Sequence, residues 1–136
     1  MFTPAGPLLA ALSCGFLLPL AASAAGDAAR GEQAYQMRCG GCHSVDTDRI
    51  GPHHAGLFGR RAGSVAGFDY SPALGASTIV WNAETLDRWL TDPQAMIPGQ
   101  RMGYRLADPH IRADVIAYLA TLAATERVQS PTGDPR

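Results

Sequence analysis

The stretch Cys39-Gly40-Gly41-Cys42-His43 decides how the rest of this 136-residue chain is read. Two cysteines three apart, with a histidine directly after the second, form the attachment signature of c-type haem. The spacing has a chemical cause. Each thiol adds to one of two vinyl groups on a porphyrin edge, so the separation of the thiols must match that of the vinyls. The next residue then lies where its imidazole reaches the iron. A bare C-x-x-C also serves thioredoxin-like redox sites and zinc sites, and the added histidine sets this stretch apart from both.

On the amino side, Asp27 to about Cys39 reads as a helix, with Asp27 as cap and Ala28, Gly31, Tyr35 and Cys39 recurring on one side. Gly31 in mid-helix costs about 1 kcal/mol against alanine, which suggests close approach of another backbone. Further out, residues 1–25 form a segment of their own. Leu8 to Ala25 carries no charge and ends in Ala22-Ser23-Ala24, an apolar core followed by an A-x-A cleavage site. An export signal is expected there. An uncleaved anchor is the competing reading, because the apolar run approaches spanning length. The mature chain then holds only two cysteines, Cys39 and Cys42, and the adjacent histidine argues for thioethers over a disulfide.

On the carboxyl side, residues 44–80 are punctuated by Gly51-Pro52, Gly56, Gly59, Gly63, Gly67 and Ser71-Pro72. This predicts loops and turns, with a short helix opened by Ser71 and Pro72. A loop region this long needs apolar surface to pack on, and a haem supplies it for Leu57, Phe58, Phe68, Tyr70 and Leu74. Asn82 to Thr91 reads as a second main helix with Leu86, Trp89 and Leu90 on one face, ended by Asp92-Pro93. Asp108 and Pro109 open the last helix, whose apolar stripe is Ile111, Val115, Tyr118, Leu119 and Leu122. It is expected to fray near Thr125 into a polar tail, residues 125–136.

The composition is that of one globular domain, 46% hydrophobic and 17% charged. All 11 basic residues are arginine, and 12 acidic residues bring the formal charge to −1, which leaves no nucleic-acid footprint. His43 is the expected proximal iron ligand, its other ring N–H held by a backbone carbonyl, with Pro52 the best candidate. For the opposite face the choices are His53, His54, His110, Met37, Met96 and Met102. Met37 is too close to the attachment site. Met102 follows Pro98 and Gly99 on an otherwise polar loop, which favours it.

Taken together, these stretches resemble a class I c-type cytochrome, similar to mitochondrial cytochrome c and its small bacterial periplasmic relatives. Gly31 and Tyr35 match the first helix, and Cys39 to His43 the haem motif. Gly51-Pro52 with Gly56-Leu57-Phe58-Gly59-Arg60 matches the proximal loop. Gly67-Phe68-Asp69-Tyr70 and Trp81 match the propionate aromatics, Ile97-Pro98-Gly99 to Met102 the methionine loop, and Ala113 to Leu119 the last helix. The resemblance implies an all-α fold over residues 26–124, three main helices and long loops around one covalent haem c. It implies Cys39 and Cys42 as thioether residues, His43 and Met102 as axial iron ligands, and Arg60, Tyr70 and Trp81 near the propionates. It further implies a monomeric, periplasmic single-electron carrier, not an enzyme. Its transient redox partners would be a terminal oxidase, a photosynthetic reaction centre or a periplasmic dehydrogenase.

Rival readings are a haem enzyme or a gas or redox sensor with a labile sixth ligand, a thiol–disulfide oxidoreductase, and a zinc module. The chain departs from the family at Trp89, where mitochondrial members have tyrosine, at His54 for leucine, Leu74 for asparagine and Gln100 for a hydroxyl residue. It also lacks the mitochondrial lysine ring.

Overall fold

The computed structural model describes residues 25–129, with side chains to residue 123. The expected export signal therefore lies, but for Ala25, outside the described residues, as does the end of the polar tail.

Five helices follow in order: α1 (Ala28–Arg38), α2 (Pro72–Gly75), α3 (Ala83–Thr91), α4 (Pro93–Met96) and α5 (Pro109–Gln129). Each cap does what its side chain suggests. The Asp27 carboxylate accepts from Arg30 N–H at 2.9 Å. Ser71 accepts from the backbone of Leu74 with Pro72 in the first turn. Asn82 and Thr85 form a reciprocal capping box. The Asp108 carboxylate accepts from the backbones of His110 and Ile111.

Two boundaries differ from expectation. Asp92-Pro93 ends α3 but also opens the single turn α4, the Asp92 side chain accepting from Ala95 N–H. The last helix continues through Thr125 to Gln129. The loop region holds no regular strand among the described residues. One isolated antiparallel bridge, Arg61 with Val80, ties the middle of this region to its end.

Helices α1 and α5 cross in the most extensive helix pairing of the fold, and Gly31 sits at the crossing. A Cβ there would fall inside the Asp114 carbonyl group and 2.9 Å from Tyr118 Cβ. Only glycine lets the backbones approach this closely. The Asp114 carboxylate then binds across the crossing, accepting from the Asp27 backbone N–H at 2.6 Å and from two nitrogens of Arg30 at 2.8 and 3.0 Å. Behind it lie Ala34, Tyr35, Val115, Ile116, Tyr118 and Leu119, all buried.

α3 packs its buried face of Leu86, Trp89 and Leu90 toward α5. Arg112 on α5, 8% exposed, locks that contact. Its Nε donates to Asp87 at 2.7 Å, and one terminal nitrogen donates to the carbonyls of Leu106 and Ala107 at 2.8 and 3.0 Å. Among the described residues no helix is long and apolar enough to cross a membrane.

Candidate functional site

The attachment stretch begins where α1 stops. Cys39 caps the helix with its N–H on the Tyr35 carbonyl. The Cys39 carbonyl then accepts from both Cys42 N–H, at 3.0 Å, and His43 N–H, at 2.8 Å. One tight turn therefore gathers both thiols and the imidazole. Cys39 is half-buried and Cys42 exposed, and neither is in a disulfide. Burial pushes the Cys39 thiol up to about 11.

The loop after the motif holds the imidazole. Gly51 N–H donates to the Cys42 carbonyl at 2.8 Å, bringing Gly51 so close to the ring that a Cβ would overlap it. His43 Nδ1 lies 2.8 Å from the Pro52 carbonyl oxygen. A carbonyl can only accept, so Nδ1 carries the proton and Nε2 presents a lone pair. Burial lowers the His43 pKa, and the Pro52 bond partly offsets it. A neutral imidazole with a free Nε2 is the form that binds iron.

All eight residues singled out above, Cys39, Cys42, His43, Pro52, Arg60, Tyr70, Trp81 and Met102, line one cavity of about 340 Å³. Leu57, Leu74, Leu86, Leu90, Val115 and Leu119 supply apolar wall, and Phe68 beside Tyr70, ring centres 4.7 Å apart, supplies aromatic wall. Of the described methionines, Met102 alone reaches the cavity. Met96 packs against the core instead. Phe58, expected on the haem, also packs on the core and not on the cavity. The backbone here is non-helical, so its side chain diverges from that of Leu57.

Around the walls, polar groups are few and fixed. Arg60 donates to the Ala55 and His53 carbonyls at 2.8 Å each, bracing the proximal loop from inside. Trp81 meets Trp89 edge to face at 5.4 Å. Among the described residues no acceptor binds either indole N–H, and no buried side-chain polar atom lacks a partner. Both N–H groups therefore have open space beside them, and both side chains line the cavity. The set fits a haem: two thiols, a pre-oriented imidazole, a thioether, apolar walls, and donors for carboxylates.

Two features escaped the sequence reading. Gln100 holds Met102 from both sides, its amide oxygen accepting from Met102 N–H and its Nε2 donating to the Met102 carbonyl at 2.9 Å. His54 stacks on His43, ring centres 4.3 Å apart and planes 22° apart. Burial, with His43 and Arg60 nearby, pushes the His54 pKa down to about 3, so it is neutral. Both positions were visible as departures from the family pattern, but the partners were not.

The model of the cytochrome c family matches residues 28–123, nearly all of the described chain. The chain belongs to the cytochrome c family. It is 39% identical over 117 residues to cytochrome c2 of Rhodomicrobium vannielii, covering 83% of this chain and 93% of that protein. It is 40% identical over 104 residues to cytochrome c of Chlamydomonas reinhardtii, covering 74% and 93%. The solved structure of cytochrome cH from Methylobacterium extorquens superposes with a TM-score of 0.67 at 39% identity, covering 71% of this chain and 99% of that one. As a cytochrome c, the chain is a small electron carrier with covalently bound haem c and its iron. It works with transient redox partners and is not an enzyme. The enzyme and sensor readings are not favoured.

Proposed function

We propose that electron transfer here uses a His/Met-ligated haem held by Cys39 and Cys42, with His43 Nε2 and the Met102 sulfur as axial ligands. One observation carries this: the two thiols, the free imidazole nitrogen and the thioether share a single cavity, which none of the other described methionines reaches. When bound, the haem supplies one iron that cycles between ferrous and ferric. The chain's own residues do the rest. The Pro52 carbonyl orients His43, and the Gln100 amide fixes the backbone of Met102. Trp81 and Tyr70 offer donors to the propionates, and Arg60 contributes positive charge. Two protein ligands leave no open position for a substrate, and methionine ligation raises the potential above that of bis-histidine haem.

Residues 1–25 serve as the export signal and residues 26–124 form the working domain, while 125–136 is a polar extension whose first part continues α5 to Gln129. The carrier acts as a monomer in the periplasm of a respiratory chain. It passes electrons among partners of the oxidase, reaction-centre or dehydrogenase kind, across the small interfaces of redox encounters. Support comes from the uncharged leader with its A-x-A end and from the bacterial cytochrome c2 relative.

The test is the sulfur-to-iron charge-transfer band of the ferric protein. Met102→Ala should abolish it and Met96→Ala should keep it. The reverse pattern would overturn the ligand assignment.

A further inference from the structure

Beside His43 lies a second imidazole that haem attachment does not require. His54 stacks on the His43 ring almost in parallel, at 4.3 Å and 22°. Its Nδ1 shares a hydrogen bond of 3.1 Å with the hydroxyl of Tyr35. Tyr35 is itself 1% exposed, packed edge-on to His54 and tilted against Tyr118 of α5 at 5.3 Å. A continuous line of rings thus runs from the α1–α5 crossing, through Tyr35 and His54, to His43.

We propose that His54, clamped by Tyr35, is a positioning residue that fixes the plane of the His43 ring, and with it the redox potential. The proposal rests on His43 being the axial ligand. The physical need is clear from the torsions. The bond joining an imidazole to its Cβ has broad, weakly defined wells. The hydrogen bond to Pro52 anchors Nδ1 and the Gly51 backbone crowds that part of the ring, but the face toward His54 needs a support of its own. A flat partner lying against the ring face supplies the missing restraint, provided the partner cannot turn. The Tyr35 hydroxyl denies His54 that freedom, and Tyr35 is held by the helix crossing.

An aliphatic side chain could fill the same volume. It could neither present a flat face nor take up the Tyr35 hydroxyl, which would then lose its partner in a nearly water-free position. The choice of residue therefore points to orientation and not to filling. Fixing the ring keeps the Nδ1–H aimed at Pro52, and that bond makes the imidazole a stronger donor to the metal. A stronger donor favours ferric iron and lowers the potential.

The experiment uses the holoprotein in four variants: Tyr35→Phe, His54→Leu, the double variant, and His54→Phe. The readouts are the hyperfine-shifted haem methyl resonances of the ferric form, which report the ligand-plane direction, and the midpoint potential. Tyr35→Phe and His54→Leu should each change the order or spread of the methyl shifts and raise the potential. The double variant should match His54→Leu, because the hydroxyl acts through His54. His54→Phe, a flat ring without the clamp, should resemble Tyr35→Phe more than His54→Leu, and full return to wild type would refute the clamp. Unchanged methyl shifts and potential in both single variants, with only the melting temperature lowered, would show His54 to be filler. Additive effects in the double variant would also refute the clamp. If His54→Leu fails to load haem, Tyr35→Phe still decides, since it removes a single oxygen. His43→Ala keeping the wild-type low-spin spectrum would instead overturn the ligand reading, leaving the two failures distinguishable.

Discussion

Gly31→Ala offers the sharpest test of the fold because intrinsic propensity and packing predict opposite signs. In mid-helix, alanine is favoured over glycine by about 1 kcal/mol. Here the added Cβ would enter the Asp114 carbonyl and stand 2.9 Å from Tyr118 Cβ. The first of these neighbours is backbone and cannot rotate away. To restore contact at roughly 3.5 Å or more, α1 and α5 must separate by on the order of 1 Å. A gap of that size forfeits between about a quarter and a half of each dispersion well along the interface. It also strains the bonds from Asp114 to Asp27 and Arg30. Overpacking of this kind costs about 1–3 kcal/mol and sometimes more. Because the obstacle is backbone, we expect a gross cost of about 3–4 kcal/mol, and about 2–3 kcal/mol after the propensity gain. Chemical denaturation of the ferric holoprotein measures it. Gly41→Ala serves as control, since a Cβ at Gly41 would meet nothing within 4 Å. A Gly31→Ala protein as stable as wild type, or more so, would refute the close crossing.

Three further outcomes follow from other parts of the molecule. Arg112→Ala strips the Leu106 and Ala107 carbonyls and Asp87 of their shared donor, and denaturant titration should show a loss of roughly 2–4 kcal/mol. The Asp114 carboxyl is held below the usual range, first by the Arg30 side chain and then by the Asp27 N–H. Its contribution is therefore full above the ordinary carboxylate pKa and is lost as pH falls through the lowered folded value. Asp114→Asn should be less stable than wild type at pH 7, and the gap should close as pH drops below about 4, as acid unfolding curves will show. With no lysine in the sequence and Arg101 tied to Asp69 at 3.2 Å, steering of an acidic redox partner should be weak. Stopped-flow rates should fall only gently with ionic strength, and a steep fall would contradict this.

The legible parts of the fold were those with local signals. Asp27, Asn82 and Asp108 announced three helices because a cap needs only its own next turn, and Gly31 announced the crossing because glycine in mid-helix has a price without a neighbour. α4 leaves little signal of its own, because Asp92-Pro93 spells a helix stop while the same aspartate closes α3 and caps the next turn. Arg112 looked like one more polar residue on α5. Its burial depends on Asp87 and on two carbonyls before the helix, none of which leaves a mark in its own segment. At the cavity, spacing brought the chemistry of Cys39, Cys42 and His43 into view directly. The family pattern drew attention to His54 and Gln100 as unusual. What each one holds, Tyr35 and His43 in one case and the backbone of Met102 in the other, is decided by loops meeting in space.

The α1–α5 crossing also acts as a clasp on the long segment that builds the cavity. Asp27 and Asp114 are 87 residues apart, and all the cavity residues except Val115 and Leu119 of α5 lie between them in sequence. Closing a loop of that length costs about 4 kcal/mol of chain entropy beyond a constant, which the packing and the Asp114 bonds at the crossing must offset. α1 precedes the loops that line the cavity and α5 follows them, so the crossing fastens the two ends of one long segment and keeps the walls around the Cys39–His43 turn together.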